Sequence, residues 1–141
     1  MSSKSLHMHK KGQGQSLLEF ALILPVLVIV LVGVFDLGRA LFALITITNA
    51  AREGARYGTL HFDELVDTNI KQAAVDEATG SGITITLSNV YVTCPDTLGD
   101  TWPCSRGTAV RVTVNHTFES LLKVVIPADI NMSRSVEMAV P

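Results

Sequence analysis

The chain has only two cysteines in 141 residues and no charged side chain between Phe20 and Phe35. No nucleophile elbow, P-loop or HExxH frames its Ser, His and Asp residues. These residues do not describe a catalyst, so no catalytic residue, small-molecule substrate or cofactor is expected. A zinc site would need two ligands besides the cysteines, and only His61 and His116 lie outside the N-terminal tail, so no metal is expected. His7-Met8-His9 belongs to that basic tail and reads as a solvated leader. With 17% charged residues and a net charge of −2, nothing resembles a nucleic-acid binder. Internal repeats and low-complexity linkers are also missing. The length leaves room for one modest domain and a membrane segment.

What is present is unevenly spread. Apolar residues make up 48% of the chain, and they crowd into LLEFALILPVLVIVLVGVF. From Leu17 through Phe20 and Pro25 to Phe35 the run has about the length a helix needs to cross a bilayer, and it is apolar on every face. Lys4, Lys10 and Lys11 precede it, while Asp36 and Arg39 nearly cancel after it. The positive-inside rule then places the N-terminus in the cytoplasm and the C-terminal part outside the cytoplasmic membrane. Glu19 is the anomaly. A charge near the bilayer centre costs about 3 kcal/mol on insertion scales, so Glu19 either snorkels to the headgroups or has a task.

Cys94 and Cys104 flank CPDTLGDTWPC, which Pro95, Gly99 and Pro103 punctuate. In an oxidising compartment a disulfide here would contribute about 3 kcal/mol in the chain-entropy model. A basic tail before an apolar run also describes a signal peptide, with Gly38-Arg39-Ala40 as a loose cleavage site and Leu41 as the new start. Against that, the run is long and the following ALFALITITNAAREGARYGTL stays helix-like. Ala51, Gly54, Ala55 and Gly58 make a small-residue stripe for close helix packing, and Gly54/Gly58 form a GxxxG. A helix from about Ser16 to Tyr57 would be on the order of 60 Å long, and Pro25 should kink it or loosen one turn.

The remainder reads as a small head. FDELVDTNIKQAAVDEATGSG places Leu65, Val66, Ile70, Ala73, Ala74 and Ala78 on one side of a helix. Asp63, Glu64 and Asp67 favour its start, and Gly80 and Gly82 stop it. Three strands follow. Ile83, Ile85 and Leu87 alternate before the phase shifts to Val90 and Val92, suggesting a bulge near Ser88 and Asn89. Val110, Val112 and Val114 alternate with polar residues; Ile130, Met132, Val136, Met138 and Val140 share one parity, with Arg134 the exception. The class is therefore α+β: a long N-terminal transmembrane and spine helix, a second short helix and a three-stranded antiparallel sheet. Asn115-His116-Thr117 and Asn131-Met132-Ser133 match a glycosylation pattern that arises often by chance.

Glu19 is the fifth residue after Gly14, behind a basic leader and at the start of the span. That arrangement resembles a type IV prepilin processing site, cut after the glycine by a membrane aspartic peptidase. GQSLLEFALILP, the DLGR segment and NAAREGARYG look closely like the TadE-like pseudopilins of the tight-adherence secretion system; VRVTVNHTFESLL fits more weakly. The resemblance implies a cleaved leader over 1–14, a transmembrane and spine helix over 15–59 and an extracytoplasmic head over 60–141. It implies cleavage between Gly14 and Gln15, with Gly12 as a competing site, and an assembly role for Glu19. The partners implied are the membrane, a prepilin peptidase, other pilin or pseudopilin subunits and the pilus assembly machinery, with incorporation in a surface pilus left open. A single-span anchored binding domain that does not polymerise stays open beside it.

Overall fold

The computed structural model describes residues 13–63, 66–95, 101–121, 123 and 129–141. The basic tail, Gly12, Glu64, Leu65 and Gly99 lie outside the described residues. Contacts divide the chain into two units, Met1–Phe35 and Asp36–Pro141.

Helix α1 comprises Gln13–Leu60. In the first unit its side chains from Gly14 to Leu31 are all exposed, and Leu17, Phe20 and Phe35 keep more than 60% of their surface. Helical backbone persists through Pro25, although that residue has no N–H to give the Ala21 carbonyl. An all-round apolar helix with nothing packed on it is stable only in an apolar solvent. The helix is long and apolar enough to cross a membrane.

In the second unit the same helix changes character. Ala43, Ile47, Ala50, Ala51 and Ala55 are buried at helical spacing, as are Gly54 and Gly58. They meet α2 (Thr68–Gly80) through Ile70 and Ala74, and the sheet through Val110 and Val112. α2 begins later than the acidic segment suggests: Asp67 holds the N-cap position without capping through its side chain and instead pairs with Lys71 at 2.7 Å. Val66 is exposed and not part of the core face. Gly82, at φ +82°, ends α2 in a Schellman arrangement. Its N–H bonds the Thr79 carbonyl, and the Ile83 N–H bonds the Ala78 carbonyl, each at 2.9 Å.

The α+β class and three-stranded antiparallel sheet are those read from the sequence. The order is β1 (Val90–Thr93), β2 (Ala109–Phe118), β3 (Ile130–Ala139), with Val90 opposite Val114 and Val112 opposite Val136. The first strand is shorter than the alternation suggests, and the phase change is a 3-10 turn at Leu87–Asn89, not a bulge. Asn89 Oδ1 accepts the Thr86 N–H while the Asn89 N–H bonds the Thr86 carbonyl, both at 2.9 Å, so the chain curls before it can pair. Ile83 therefore lies outside the sheet. β2 buries Val110, Val112 and Val114, whereas on β3 Met132 is buried and Ile130 is exposed; Val140, just past the end of β3, is also buried. The outer face is tied by cross-strand polar pairs, including Thr113 with Ser135 at 2.7 Å and Thr117 with Asn131 at 3.0 Å.

Cys94 and Cys104 form a disulfide, with Cα atoms 5.4 Å apart, linking the end of β1 to the approach to β2. A Cβ on Gly54 would lie 3.2 Å from both Ala74 Cβ and Val112 Cγ1 and 3.3 Å from the Ile70 carbonyl oxygen. Two elements press on one spot, so a branched side chain there cannot escape by moving a single neighbour. Gly54→Val should destabilise the second unit by about 1–3 kcal/mol through overpacking, seen as a lower thermal midpoint of the full chain in detergent. Unchanged unfolding would mean that this contact is not tight.

Candidate functional site

The residues singled out near the N-terminus lie in the first turns of α1. Gly14 and Gln15 are exposed, and a Cβ on Gly14 would meet nothing within 4 Å. The Gly14–Gln15 bond is helical. A helix start leaves its first N–H groups without intrahelical partners. Glu19 is one turn from Gln15, on the same helix face, and is exposed. Among the described residues Glu19 has no hydrogen-bond or ion-pair partner. Its neighbours Leu18, Phe20, Leu22 and Ile23 are exposed apolar side chains.

At the other end of the charge-free run the polar chemistry is fully used. Asp36 is 6% exposed. Its Oδ1 accepts from Arg39 Nη1 at 2.7 Å, while its Oδ2 accepts the Ser120 hydroxyl and, at 2.9 Å, the Leu121 backbone N–H. The Arg39 guanidinium lies over the Phe118 ring, 5.2 Å from its centre. Reading Asp36 and Arg39 as an ion pair one turn apart gives the pair but not its partners. Ser120 and Leu121 are 84 and 85 positions away, and no local spacing announces them.

The small-residue stripe of Ala51, Gly54, Ala55 and Gly58 is internal to the second unit, facing Ile70, Ala74, Val110 and Val112. A groove of about 530 Å³ is lined by Arg39, Phe42, Ile83, His116 and Glu119 among others. Burial holds the His116 imidazole below its usual range. Among the described residues no group of three or more His, Cys, Asp or Glu is placed to hold a metal. Among the described residues α1 thus carries an exposed glycine at Gly14, an exposed carboxylate at Glu19 and a buried ion pair at Asp36 and Arg39.

That arrangement defines a chain with an α+β head carried on an apolar helix suited to membrane anchoring. Residues 14–56 match the model of a family described as TadE-like protein, and over this segment the chain is similar to that family. No curated protein and no solved structure matches it.

Asp36→Ala would leave the Ser120 hydroxyl, the Leu121 N–H and Arg39 facing a buried gap. Asp36→Asn keeps one acceptor but loses the charge. Thermal unfolding of the full chain in detergent should rank wild type above Asn and Asn above Ala, with Ala several degrees lower. Equal midpoints for all three would show that the tie contributes nothing.

Proposed function

We propose that this chain is a minor pilin or pseudopilin of a Tad-type pilus, processed by a prepilin peptidase and assisting pilus assembly or secretion at the cytoplasmic membrane. The observation carrying this reading is the coincidence, inside the segment similar to the TadE-like family, of an unobstructed Gly14 with Glu19, which has no partner among the described residues, on an exposed apolar helix. Lys4, Lys10 and Lys11 keep the leader in the cytoplasm, and the head faces outward.

Cleavage after Gly14 turns Gln15 into a new ammonium group near the membrane surface. In a poorly hydrated setting an opposite charge is worth far more than in water. Glu19 of one subunit neutralises the Gln15 ammonium of its neighbour, which fixes the axial register of two otherwise featureless apolar helices. The same carboxylate is a cost when alone and a specificity device when paired.

The mature N-terminus is the direct test. Mass spectrometry should find Gln15 first, and Gly14→Leu should block trimming, because the peptidase needs a small residue before the cut. An intact leader would favour an anchored, non-polymerising binding domain, whereas a start near Leu41 would favour a secreted head.

Glu19 gives a separate prediction. Glu19→Ala and Glu19→Gln should insert and largely still be cleaved, but both should lose co-purification with partner subunits. Removing one member of a buried pair typically costs about 3–5 kcal/mol, enough to abolish a weak lateral association. Glu19→Asp should fall between, since the charge remains with shorter reach. Wild-type pilus counts for both Ala and Gln would reduce Glu19 to a snorkelling surface residue.

A further inference from the structure

On β3 one residue breaks the pattern of its strand. Met132, Arg134, Val136 and Met138 share one parity and stand opposite His116, Val114, Val112 and Val110. Opposite residues of an antiparallel pair point to the same face of the sheet. Val110, Val112 and Val114 are buried, so Arg134 is rooted on the core-facing side, yet it is exposed. With Leu41, Leu44 and Ile45 of α1 it lines a groove of about 300 Å³. No ion pair among the described residues includes Arg134. A long side chain at such a place keeps its guanidinium in water while its stem covers apolar surface.

β3 is also the long edge of the sheet. It has β2 on one side and, among the described residues, no strand on the other. β1, at the opposite edge, has four residues, whereas β3 has ten. An edge strand turns alternate N–H and C=O groups away from its neighbour, which makes a long one a template for another strand. The register with β2 runs without a bulge and the strand has no proline, so neither of those protections is present. A charge on the core-facing side is the protection that remains.

A second copy presents the same edge, and two such edges join antiparallel about a two-fold axis. That axis is perpendicular to the sheet, so both core-facing sides fall on one side of the joined sheet. Each residue then meets one of its own parity. The two registers that pair the strands most fully set Arg134 directly opposite Arg134 of the second copy, or opposite Val136 of that copy with the arginines diagonal. In both, two guanidiniums without counter-charges meet beside apolar side chains, where like charges repel and hydration is lost.

We propose that Arg134 guards the β3 edge and keeps it from pairing with β3 of a second copy. Association of this chain is thereby confined to other surfaces. The guard does not depend on leader cleavage or on Glu19, so its failure would leave the proposed function standing.

The full chain in detergent tests this with three substitutions. Arg134→Val restores the apolar alternation, whereas Arg134→Lys and Arg134→Glu keep a charge that meets its like across the axis. By light scattering after size exclusion, Arg134→Val should lower the concentration at which half the chains are paired by about tenfold or more. Hydrogen exchange in that variant should slow several-fold at β3 and match wild type at α1. In wild type and in the Lys and Glu variants, the β3 amides turned away from β2 should exchange rapidly at every concentration. The proposal fails if Arg134→Val associates no more than wild type, or if Lys or Glu associates as readily as Val. It also fails if association leaves β3 exchange unchanged, or if those β3 amides are already protected in wild type. Should the valine chain not fold, Arg134→Thr, uncharged and suited to a strand, replaces it with the same expected outcomes.

Discussion

Where α1 leaves its apolar run, one buried carboxylate ties the helix to a distant part of the chain. Asp36 binds Arg39 on its own helix and both Ser120 and Leu121 from beyond the end of β2. A buried acid is tolerable only when its lone pairs are satisfied, and here donors reach both oxygens. The consequence reaches past the local geometry. The same bonds that make Asp36 affordable at this position fasten the far end of β2 to the helix, and Arg39 adds its stacking on Phe118.

Farther along α1 the constraint is spatial and not electrostatic. A helix whose first part is unpacked apolar surface and whose second part belongs to a small head must bring its backbone close to its packing partners, because few residues remain to build a core. Gly54 and Gly58 give that approach: Cβ atoms there would stand 3.2 Å from Val112 and Val110 respectively. Alanines at 51 and 55 continue the same buried surface. The glycines weaken helix propensity by about 1 kcal/mol each, and contact with both α2 and β2 offsets this. The GxxxG here serves intramolecular packing, which distinguishes it from the dimer motif it resembles in pattern.

Much of this was legible from periodicity. Alternation at Val110, Val112 and Val114 marks β2 because one buried face imposes a period of two. The unbroken apolar run marks the first part of α1 in the same way. Misreadings occur where local side-chain chemistry or tertiary context outweighs the pattern. Ile83, Ile85 and Leu87 alternate like a strand, but Thr86 and Asn89 bond each other's backbone and turn the chain. Ile130 has the right parity for the core and stays uncovered, because parity fixes the face of a sheet and not what lies against it. At the site, the Gly14 and Glu19 offset is written in neighbouring letters. The partners of Asp36 are not, since they depend on where β2 ends.

The reach of the TadE-like segment follows from the same physics. Residues 14–56 include an exposed apolar surface and, from Ala43 onward, a face buried in the core. A substitution there must satisfy both. The outer face of the sheet answers mainly to its own cross-strand pairs, such as Thr113 with Ser135 and Thr117 with Asn131, which other polar pairs would serve equally well. The segment similar to that family therefore lies in α1, where the exposed apolar run and the core-packing face share one helix. The head's solvent face has more freedom to differ.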